Sequence, residues 1–388
     1  MKNSCEERRA GPSHEFYQMN ILSESNELLN IEKQENCWKA NNNSNNTVTD
    51  EDTKRTSCLD KLKGIHVMFK IMAVLIGIII TLSPFIPKIV AGIKTTETTT
   101  EFSTELLPSD VFILVIPTYV DGSYLQSGDG SSQISATINA PENKYAYNAA
   151  HALVNGKLHI FGGVSDYTKI ARLDDCSLNE LPVRLNEERS SGHAALSIEN
   201  GIKALICFGY SGNFRKTCEI FDGSKTVLTF ASDSTHRRGG LGLYKNQPTS
   251  VGCFSEEHQK AETLSATGWI SLPDHPKRIS DHSLVALENQ SMLLIGGWDA
   301  GNGGARQSGI WELKDENWNQ IGELLQANYD GSAIYIGRSI YYFGYVSNAI
   351  ERMDFTETEE LQKVAKIGNQ PNSFYYPVLF QNVSNYCT

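Results

Sequence analysis

Short apolar runs that end in glycine recur along the second part of the chain at a nearly constant spacing. The glycines that mark these runs are Gly162, Gly163, Gly209, Gly252, Gly296, Gly297 and Gly344. Counted from the first glycine of each run, the intervals are 47, 43, 44 and 48 residues. A fixed period of this length indicates a repeat architecture, in which each unit buries its apolar residues only against its neighbours.

Each repeat holds four short apolar segments, which predicts one four-stranded blade of a β-propeller per repeat. The glycine ends the second strand, where the chain turns sharply and a Cβ would be unfavourable. The best-preserved repeat, residues 282–321, contains the run Ile295–Gly297, followed by Trp311 and Trp318. This order of a hydrophobic run, a glycine pair and aromatic residues resembles the kelch repeat. The resemblance covers approximately residues 110–380 and implies an all-β, kelch-like propeller.

The two ends of the repeat region predict a closed ring. The apolar run Phe112–Ile116 lies one period before the first marker glycine. Another run, Tyr375–Phe380, lies where the first strand of a repeat after the last marker would fall. We therefore expect the C-terminal strand to supply the innermost strand of the N-terminal blade, which removes exposed sheet edges. Five marked repeats and this composite give six blades over residues 110–382.

The residues before the propeller predict a membrane anchor. Ile71 to Pro87 carries no charge and the apolar run continues to Ile93, long enough as a helix to cross a bilayer core of ~30 Å. We therefore predict a spanning helix over 67–93; a buried core helix and a cleaved signal peptide are the alternatives.

Flanking charges predict the orientation of this segment. More Lys and Arg residues precede it than follow it, so the positive-inside rule predicts a type II single-pass protein. Residues 1–66 would be a disordered cytosolic tail, 94–109 a Thr/Glu-rich stalk, and the propeller would be extracellular or lumenal, at the plasma membrane or a secretory-pathway membrane.

The predicted topology determines which cysteines can form disulfides. Five of the eight cysteines would lie on the oxidising side of the membrane. Cys207 and Cys218 fall on consecutive strands of one blade, so they form either a disulfide or two buried free thiols. The odd number leaves Cys253 or Cys387 free or paired between chains. Nothing has zinc-ligand spacing, and no cofactor is expected.

Two sequons lie on the predicted outer side and predict a glycoprotein. They begin at Asn289 and Asn382. The formal net charge of −11 argues against a general nucleic-acid binder.

The sequence shows no motif of a propeller enzyme. It lacks the repeated Ser-x-Asp-x-Gly-x-Thr-Trp boxes of sialidases, the Tyr, His and Cys grouping of galactose oxidase, and any Ser/His/Asp constellation. We therefore predict non-enzymatic recognition of a protein or glycan, with no catalytic residue assigned. The alternative is a membrane-tethered carbohydrate-active enzyme with sialic-acid or galactose chemistry. An intracellular kelch adaptor conflicts with the anchor.

Cations concentrate in the loops that follow the second and fourth strands of each predicted blade, and these loops share one face. A ligand-binding rim on this face would contain Arg189, Arg215, His236, Arg237, Arg238, Lys277, Arg278, Trp298 and Arg306. One interpretation is a site for an anionic ligand, either an acidic peptide or an anionic glycan. The other is that Arg189 and Arg278 are structural kelch arginines and the rest are solvated loop charges.

Overall fold

The computed structural model describes residues 107–388 except 211–214, together with the backbone of Tyr17 and Gln18. These residues form an all-β, six-bladed propeller of antiparallel blades. Blade 1 pairs the C-terminal strand with the first three strands of the repeat region, and blades 2 to 6 follow in chain order. Helical structure in the described part is limited to short 3-10 turns, Pro108–Asp110, Val120–Gly122 and Ala300–Asn302.

The strands are numbered in chain order, beginning with β1 (Tyr17–Gln18). Blade 1 consists of β27 (Val378–Asn382), β2 (Phe112–Ile116), β3 (Tyr124–Ser127) and β4 (Gln133–Ser135). Blade 2 consists of β5 (Ala150–Val154), β6 (Lys157–Phe161), β7 (Ile170–Asp174) and β8 (Ser177–Glu180). Blade 3 consists of β9 (His193–Ile198), β10 (Lys203–Phe208), β11 (Cys218–Phe221) and β12 (Thr226–Thr229).

The second half of the ring repeats this order. Blade 4 consists of β13 (Gly242–Tyr244), β14 (Gln247–Cys253), β15 (His258–Ser265) and β16 (Gly268–Leu272). Blade 5 consists of β18 (Ser283–Ala286), β19 (Met292–Ile295), β21 (Ala305–Lys314) and β22 (Asn317–Asn328), with the short strands β17 (Ile279–Ser280) and β20 (Trp298–Asp299) beside it. Blade 6 consists of β23 (Ser332–Ile336), β24 (Ser339–Phe343), β25 (Ala349–Phe355) and β26 (Leu361–Asn369).

Burial decreases from the inner to the outer strand of a blade. Both inner strands of blade 6, β23 and β24, are buried at every residue, whereas β4 at the outside of blade 1 is exposed throughout. An inner strand is covered on both faces by the neighbouring blades, so its apolar side chains form the core between blades. This is why the inner strands are continuous apolar runs instead of alternating patterns.

The marker glycines lie where the second strand ends against the loop that enters the next blade. Gly162 has a φ of +59°, and a Cβ there would lie 2.5 Å from the carbonyl oxygen of Arg189. Gly252 has a φ of +69°, and a Cβ there would lie 1.8 Å from the carbonyl oxygen of Ile279. A side chain is thus excluded both by backbone conformation and by contact between blades.

The ring is closed by β27, which pairs with β2 from Val378 opposite Ile116 to Asn382 opposite Phe112. Beyond β27, a disulfide joins Cys387 to Cys176, in the turn between the third and fourth strands of blade 2. The Cys387 carbonyl also accepts a hydrogen bond of 2.7 Å from the Thr137 amide. The C-terminus therefore connects blade 1 to blade 2 as well as completing blade 1.

The predicted N-terminal segments, 1–66, 67–93 and nearly all of 94–109, lie outside the described residues. Within the described part, no helix has the length and apolar character needed to cross a bilayer. The backbone of β1 pairs in parallel with Ile334 and Tyr335 of β23. This pairing and a cytosolic position of residues 1–66 exclude each other in one molecule, because a membrane would separate the two strands.

Replacing Leu379 by Ala in the closing strand is expected to destabilise the propeller strongly. The side chain is 1% exposed between blades, so truncation leaves a cavity and should lower the free energy of unfolding by about 2–5 kcal/mol. Chemical denaturation of the full chain measures this. Val383→Ala is the matched control, since Val383 is 61% exposed just beyond the strand. Equal effects of the two substitutions would contradict the role of β27 in the core.

Candidate functional site

Two sets of loops meet on one face of the propeller, which we call the loop face: those between the second and third strands and those between blades. Each loop between blades reaches the first strand of the next blade through one residue in the left-handed region. These residues, which we call the inner ring, are Asn148, Gly192, Arg238, Asp281, Asp330 and Tyr376, with φ values from +44° to +67°. Left-handed backbone is uncommon outside glycine, so its recurrence in every blade indicates a common structural requirement.

Backbone hydrogen bonds connect successive members of the inner ring. The Arg238 amide donates to the Gly192 carbonyl at 3.0 Å, and the Asp281 amide donates to the Arg238 carbonyl at 2.9 Å. The amides of Asp330 and Tyr376 continue the series, each donating to the preceding member's carbonyl at 3.0 Å. Four consecutive bonds thus link the entrances of blades 3 to 6 and of the closing strand.

The side chains of four inner-ring residues, together with Tyr375, form one buried polar network. Arg238 Nη1 donates to Asp281 Oδ1 at 2.9 Å, and Arg238 Nη2 donates to the Tyr375 hydroxyl at 3.3 Å. The Tyr376 hydroxyl lies 2.7 Å from Asp281 Oδ1 and also contacts Asp330 Oδ1. Both carboxyl groups are almost fully buried, at 1% and 2% exposed.

The pKa values of the two carboxyl groups are shifted in opposite directions. Burial, and then the negative charge of Asp281, raises the pKa of Asp330 well above its ordinary value of 3.8. Burial alone would also raise the pKa of Asp281, but Arg238 and several hydrogen bonds outweigh it and lower that pKa. At a pH between the two pKa values Asp281 is ionised and Asp330 is protonated. A protonated Asp330 can donate to the Tyr376 hydroxyl, which itself has one proton to donate.

Aromatic side chains extend from this network around the mouth of the propeller. Ring centroids are 5.3 Å apart between Trp298 and Tyr329, 6.0 Å between Tyr329 and Tyr345, and 5.0 Å between Tyr345 and Tyr375. On the other side of the network, the Arg238 guanidinium lies 4.6 Å from the centroid of Phe254. We call the five aromatic residues Trp298, Tyr329, Tyr345, Tyr375 and Phe254 the aromatic band.

Arg237 lies next to one end of the aromatic band. Its guanidinium is 4.2 Å from the ring centroid of Tyr210 and 5.4 Å from that of Phe254. At the other end, the exposed Arg306 lies 5.8 Å from the centroid of Tyr329. The loop face thus combines half-buried aromatic rings with guanidinium groups.

The structure places two of the predicted rim residues inside the blades. Arg189 is fully buried and pairs with the buried carboxylate of Glu219 at 2.9 Å. His236 is fully buried and lies 2.8 Å from the carboxylate of Glu262. The loops that hold these side chains run on the loop face, but the side chains turn inward to third-strand acids. They are therefore corrected from rim positions to contacts within the fold.

The other predicted rim residues are distributed over the loop face. Arg215 is half-buried, with Nε donating to the Tyr210 carbonyl at 3.3 Å. Lys277 is half-buried and donates to the Gln307 side chain, and Arg278 is exposed. The structure therefore brings together Arg237, Arg238, Trp298 and Arg306 along the aromatic band, and leaves the three others apart from it.

The sequence prediction did not include Asp281, Asp330 and the band tyrosines. A signal for the two acids exists, because inner-ring residues lie one to four positions before the first strand of each blade and follow the same period of about 45 residues. The signal is weak, because five different residue types occupy the six positions.

The cysteines of the described residues are two disulfide pairs and one thiol. Cys207 is joined to Cys218 across adjacent strands of blade 3, and Cys253 is free and buried. No group of three or more His, Cys, Asp or Glu residues in the described part of the chain could hold a metal ion.

Comparison with known proteins gives likenesses to many solved structures. No family model matches the chain, and no curated protein matches it. The chain is similar to the solved structure titled "Structure of YjhT", with a TM-score of 0.47 and 13% sequence identity, over 66% of this chain and 90% of that one. The six-bladed assignment rests on the strand pairing described above, and the kelch resemblance stays a prediction.

Asp330→Asn is expected to change how stability depends on pH. Because the folded-state pKa of Asp330 is raised from 3.8, its contribution to stability is complete below that value. The contribution is lost as pH rises toward the folded-state pKa. An asparagine keeps the hydrogen-bonding shape without titrating, so the stability of wild type relative to Asp330→Asn should fall as pH rises from 4 toward neutrality. Denaturation of both proteins across this range measures the difference.

Asp281→Asn is the comparison for this test. It leaves the buried Arg238 without its anion, and breaking a buried pair costs about 3–5 kcal/mol. A larger loss of stability for Asp330→Asn than for Asp281→Asn at neutral pH would contradict the assigned protonation states.

Proposed function

We propose that this propeller is a recognition module that binds a partner protein through its loop face. The observation that carries the proposal is the aromatic band, in which Trp298, Tyr329, Tyr345 and Tyr375 are each half-buried. Trp, Tyr and Arg are the residues enriched at the energetic centres of protein interfaces, because they offer large contact areas with a polar end. The band with Arg306 and Arg237 has this composition.

The geometry of the band supports binding at low entropic cost. Tyr345 contacts Tyr329 and Tyr375 with interplanar angles of 85° and 79°. Edge-to-face contacts hold each ring in place before a ligand arrives, so little side-chain freedom remains to be lost on association.

The positions of the predicted glycosylation sites also support binding through the loop face. Asn289 is exposed in the turn between the first and second strands of blade 5, and Asn382 ends the closing strand. In antiparallel blades both positions lie on the face opposite the loop face, so glycans there would leave the aromatic band open. We propose that residues 67–93 anchor the chain in a plasma or secretory-pathway membrane, with the propeller displayed outside or in the lumen. In that topology β1 does not pair with β23 of the same molecule.

A carbohydrate-active enzyme is the second candidate, and the pair Asp281 and Asp330 favours it. One ionised and one protonated carboxyl group side by side is an arrangement used in acid–base catalysis. All the contacts of this pair described above are internal, however, and both groups lie beneath the surface. Turnover of sialosides or galactosides by the full chain, lost in Asp330→Asn, would favour the enzyme over the recognition module.

Tyr345→Ala is expected to weaken partner binding about tenfold or more, because a central interface aromatic contributes ~2 kcal/mol. Peptides selected from a displayed random library against the full chain provide ligands, and their dissociation constants are then measured on both proteins. Ile202→Ala is the matched control, since Ile202 is 53% exposed on the opposite face. If the selected peptides bind Tyr345→Ala as tightly as wild type, the aromatic band is not the binding surface.

The orientation is tested by digesting the protein expressed in cultured cells with peptide-N-glycosidase. We expect a mobility shift that is reduced in Asn289→Gln and in Asn382→Gln and absent in the double variant. The N-terminal tail also contains two sequons, which begin at Asn42 and Asn45. Glycans found there instead would place the tail outside and overturn the proposed topology.

A further inference from the structure

Arg237 is a buried cation that forms no ion pair with any residue that the structure describes. The residue is only 6% exposed, and its Nε has no hydrogen-bond partner. The ion pairs of the described residues do not include it, and its Nη1 donates instead to the neutral hydroxyl of Ser255 at 2.9 Å. Residues 211–214, beside Tyr210, contain no Asp or Glu. Burying a charge without a partner is costly, so a structural role alone does not explain this side chain.

The neighbours of Arg237 increase this cost. Burial, and then the adjacent Arg238, lowers the pKa of Arg237 to about 10, so the group is still charged at neutral pH. Asp281 also attracts Arg237 electrostatically, but it forms its ion pair with Arg238, at 2.9 Å. The half-buried Arg215 forms an ion pair with Glu256, at 3.8 Å. Of these three arginines, Arg237 is the one without an ion pair among the described residues.

The surroundings of Arg237 hold the guanidinium in one position. Tyr210 and Phe254 pack on it, and the Arg237 carbonyl accepts a hydrogen bond of 2.9 Å from the Phe254 amide. Gly192 leaves room for the side chain, because a Cβ there would lie 2.7 Å from Arg237 Cγ. Tyr210, 49% exposed, covers the guanidinium from one side. A fixed, weakly hydrated guanidinium is suited to binding a planar anion through two hydrogen bonds.

Arg189 shows that the fold can neutralise a buried arginine. Its guanidinium contacts the carboxylates of Glu219 and Glu187 and also donates to the carbonyl of Phe208. Arg189 lies in the loop before blade 3, and Arg237 lies in the loop before blade 4. In blade 3 the buried third-strand acid, Glu219, bonds to Arg189. In blade 4 the corresponding acid, Glu262, bonds to His236 instead of Arg237.

We propose that Arg237 is the binding site for a carboxylate of the ligand, an Asp or Glu side chain or a C-terminal carboxylate of the partner protein. This inference rests on the proposed function and makes it more specific. The carboxylate supplies the missing counter-ion at one end of the aromatic band. An acidic, aromatic-rich segment of the partner would then lie along the band toward Trp298.

Stability without ligand gives the first test. Arg237→Gln removes an uncompensated buried charge and should leave the melting temperature of the full chain unchanged or raised. Arg189→Gln, which removes a neutralised one, should lower the melting temperature. If Arg237→Gln lowers it as much as Arg189→Gln does, Arg237 has an internal role and the inference is overturned.

Anion binding gives the second test, with acetate as the probe. At constant ionic strength, replacing chloride by acetate should raise the melting temperature of wild type, because a ligand that binds only the folded state stabilises it. The rise should disappear in Arg237→Gln and persist in Lys144→Gln, which removes an exposed cation from a distant part of the same face. An equal rise in all three proteins would overturn the site.

The two proposals fail in different ways. Acetate does not need the aromatic band, so Tyr345→Ala should keep the acetate response while losing the selected peptides. Peptides that depend on Tyr345 but lack a carboxylate and tolerate Arg237→Gln would overturn the carboxylate site and leave the recognition function standing. The acetate response could instead depend on Arg237 while the selected peptides bind Tyr345→Ala as tightly as wild type. That result would support the anion site and overturn the aromatic band as the binding surface.

Discussion

The hydrogen-bonded inner ring is the constraint on which the rest of the loop face depends. Blades of a propeller touch through side chains, and only the connecting loops can align them at the centre. A left-handed residue at the end of each loop, whose amide bonds to the preceding loop from blade 4 onward, provides that alignment. The conformation costs of order 1–2 kcal/mol for a residue with a Cβ. The hydrogen bonds and the Arg238–Asp281 ion pair offset this cost.

Buried third-strand glutamates align the same loops further from the centre. The carboxylates of Glu219 and Glu262 accept hydrogen bonds of 2.7 and 2.9 Å from backbone amides in the loops that enter blades 3 and 4. Glu351 of blade 6 accepts one of 2.8 Å from the Leu325 amide, near the end of the preceding strand β22. In two of these blades the glutamate also contacts a buried basic side chain, Arg189 or His236. A buried acid that bonds to both a backbone amide and a basic side chain fixes one loop position, which determines where the following side chains reach the loop face.

The fold could be predicted from the sequence to a greater extent than the site. The period of the glycines reflects contacts that recur in every blade, and it predicted six blades from local spacing alone. The polar network depends instead on contacts between distant residues, such as Arg238 with Tyr375, 137 positions apart. The positions of charged residues in the sequence also could not show that Arg189 is paired with an acid and Arg237 is not. Both lie in loops before a strand, and only the fold shows that Glu219 neutralises one of them.

The loop face therefore has a centre whose charges are satisfied and an edge where one charge is not. At the centre, Arg238, Asp281, Asp330 and Tyr376 bond to one another, although Arg238 Nε has no hydrogen-bond partner, so a ligand there would have to break existing bonds to gain new ones. At the edge, Arg237 is buried without an ion pair among the described residues. A carboxylate bound there regains an interaction that folding left unmade, and the fixed aromatic rings beside it add contact area at little entropic cost. The proposed ligand at the edge would therefore gain an interaction, whereas a ligand at the centre would first have to displace one.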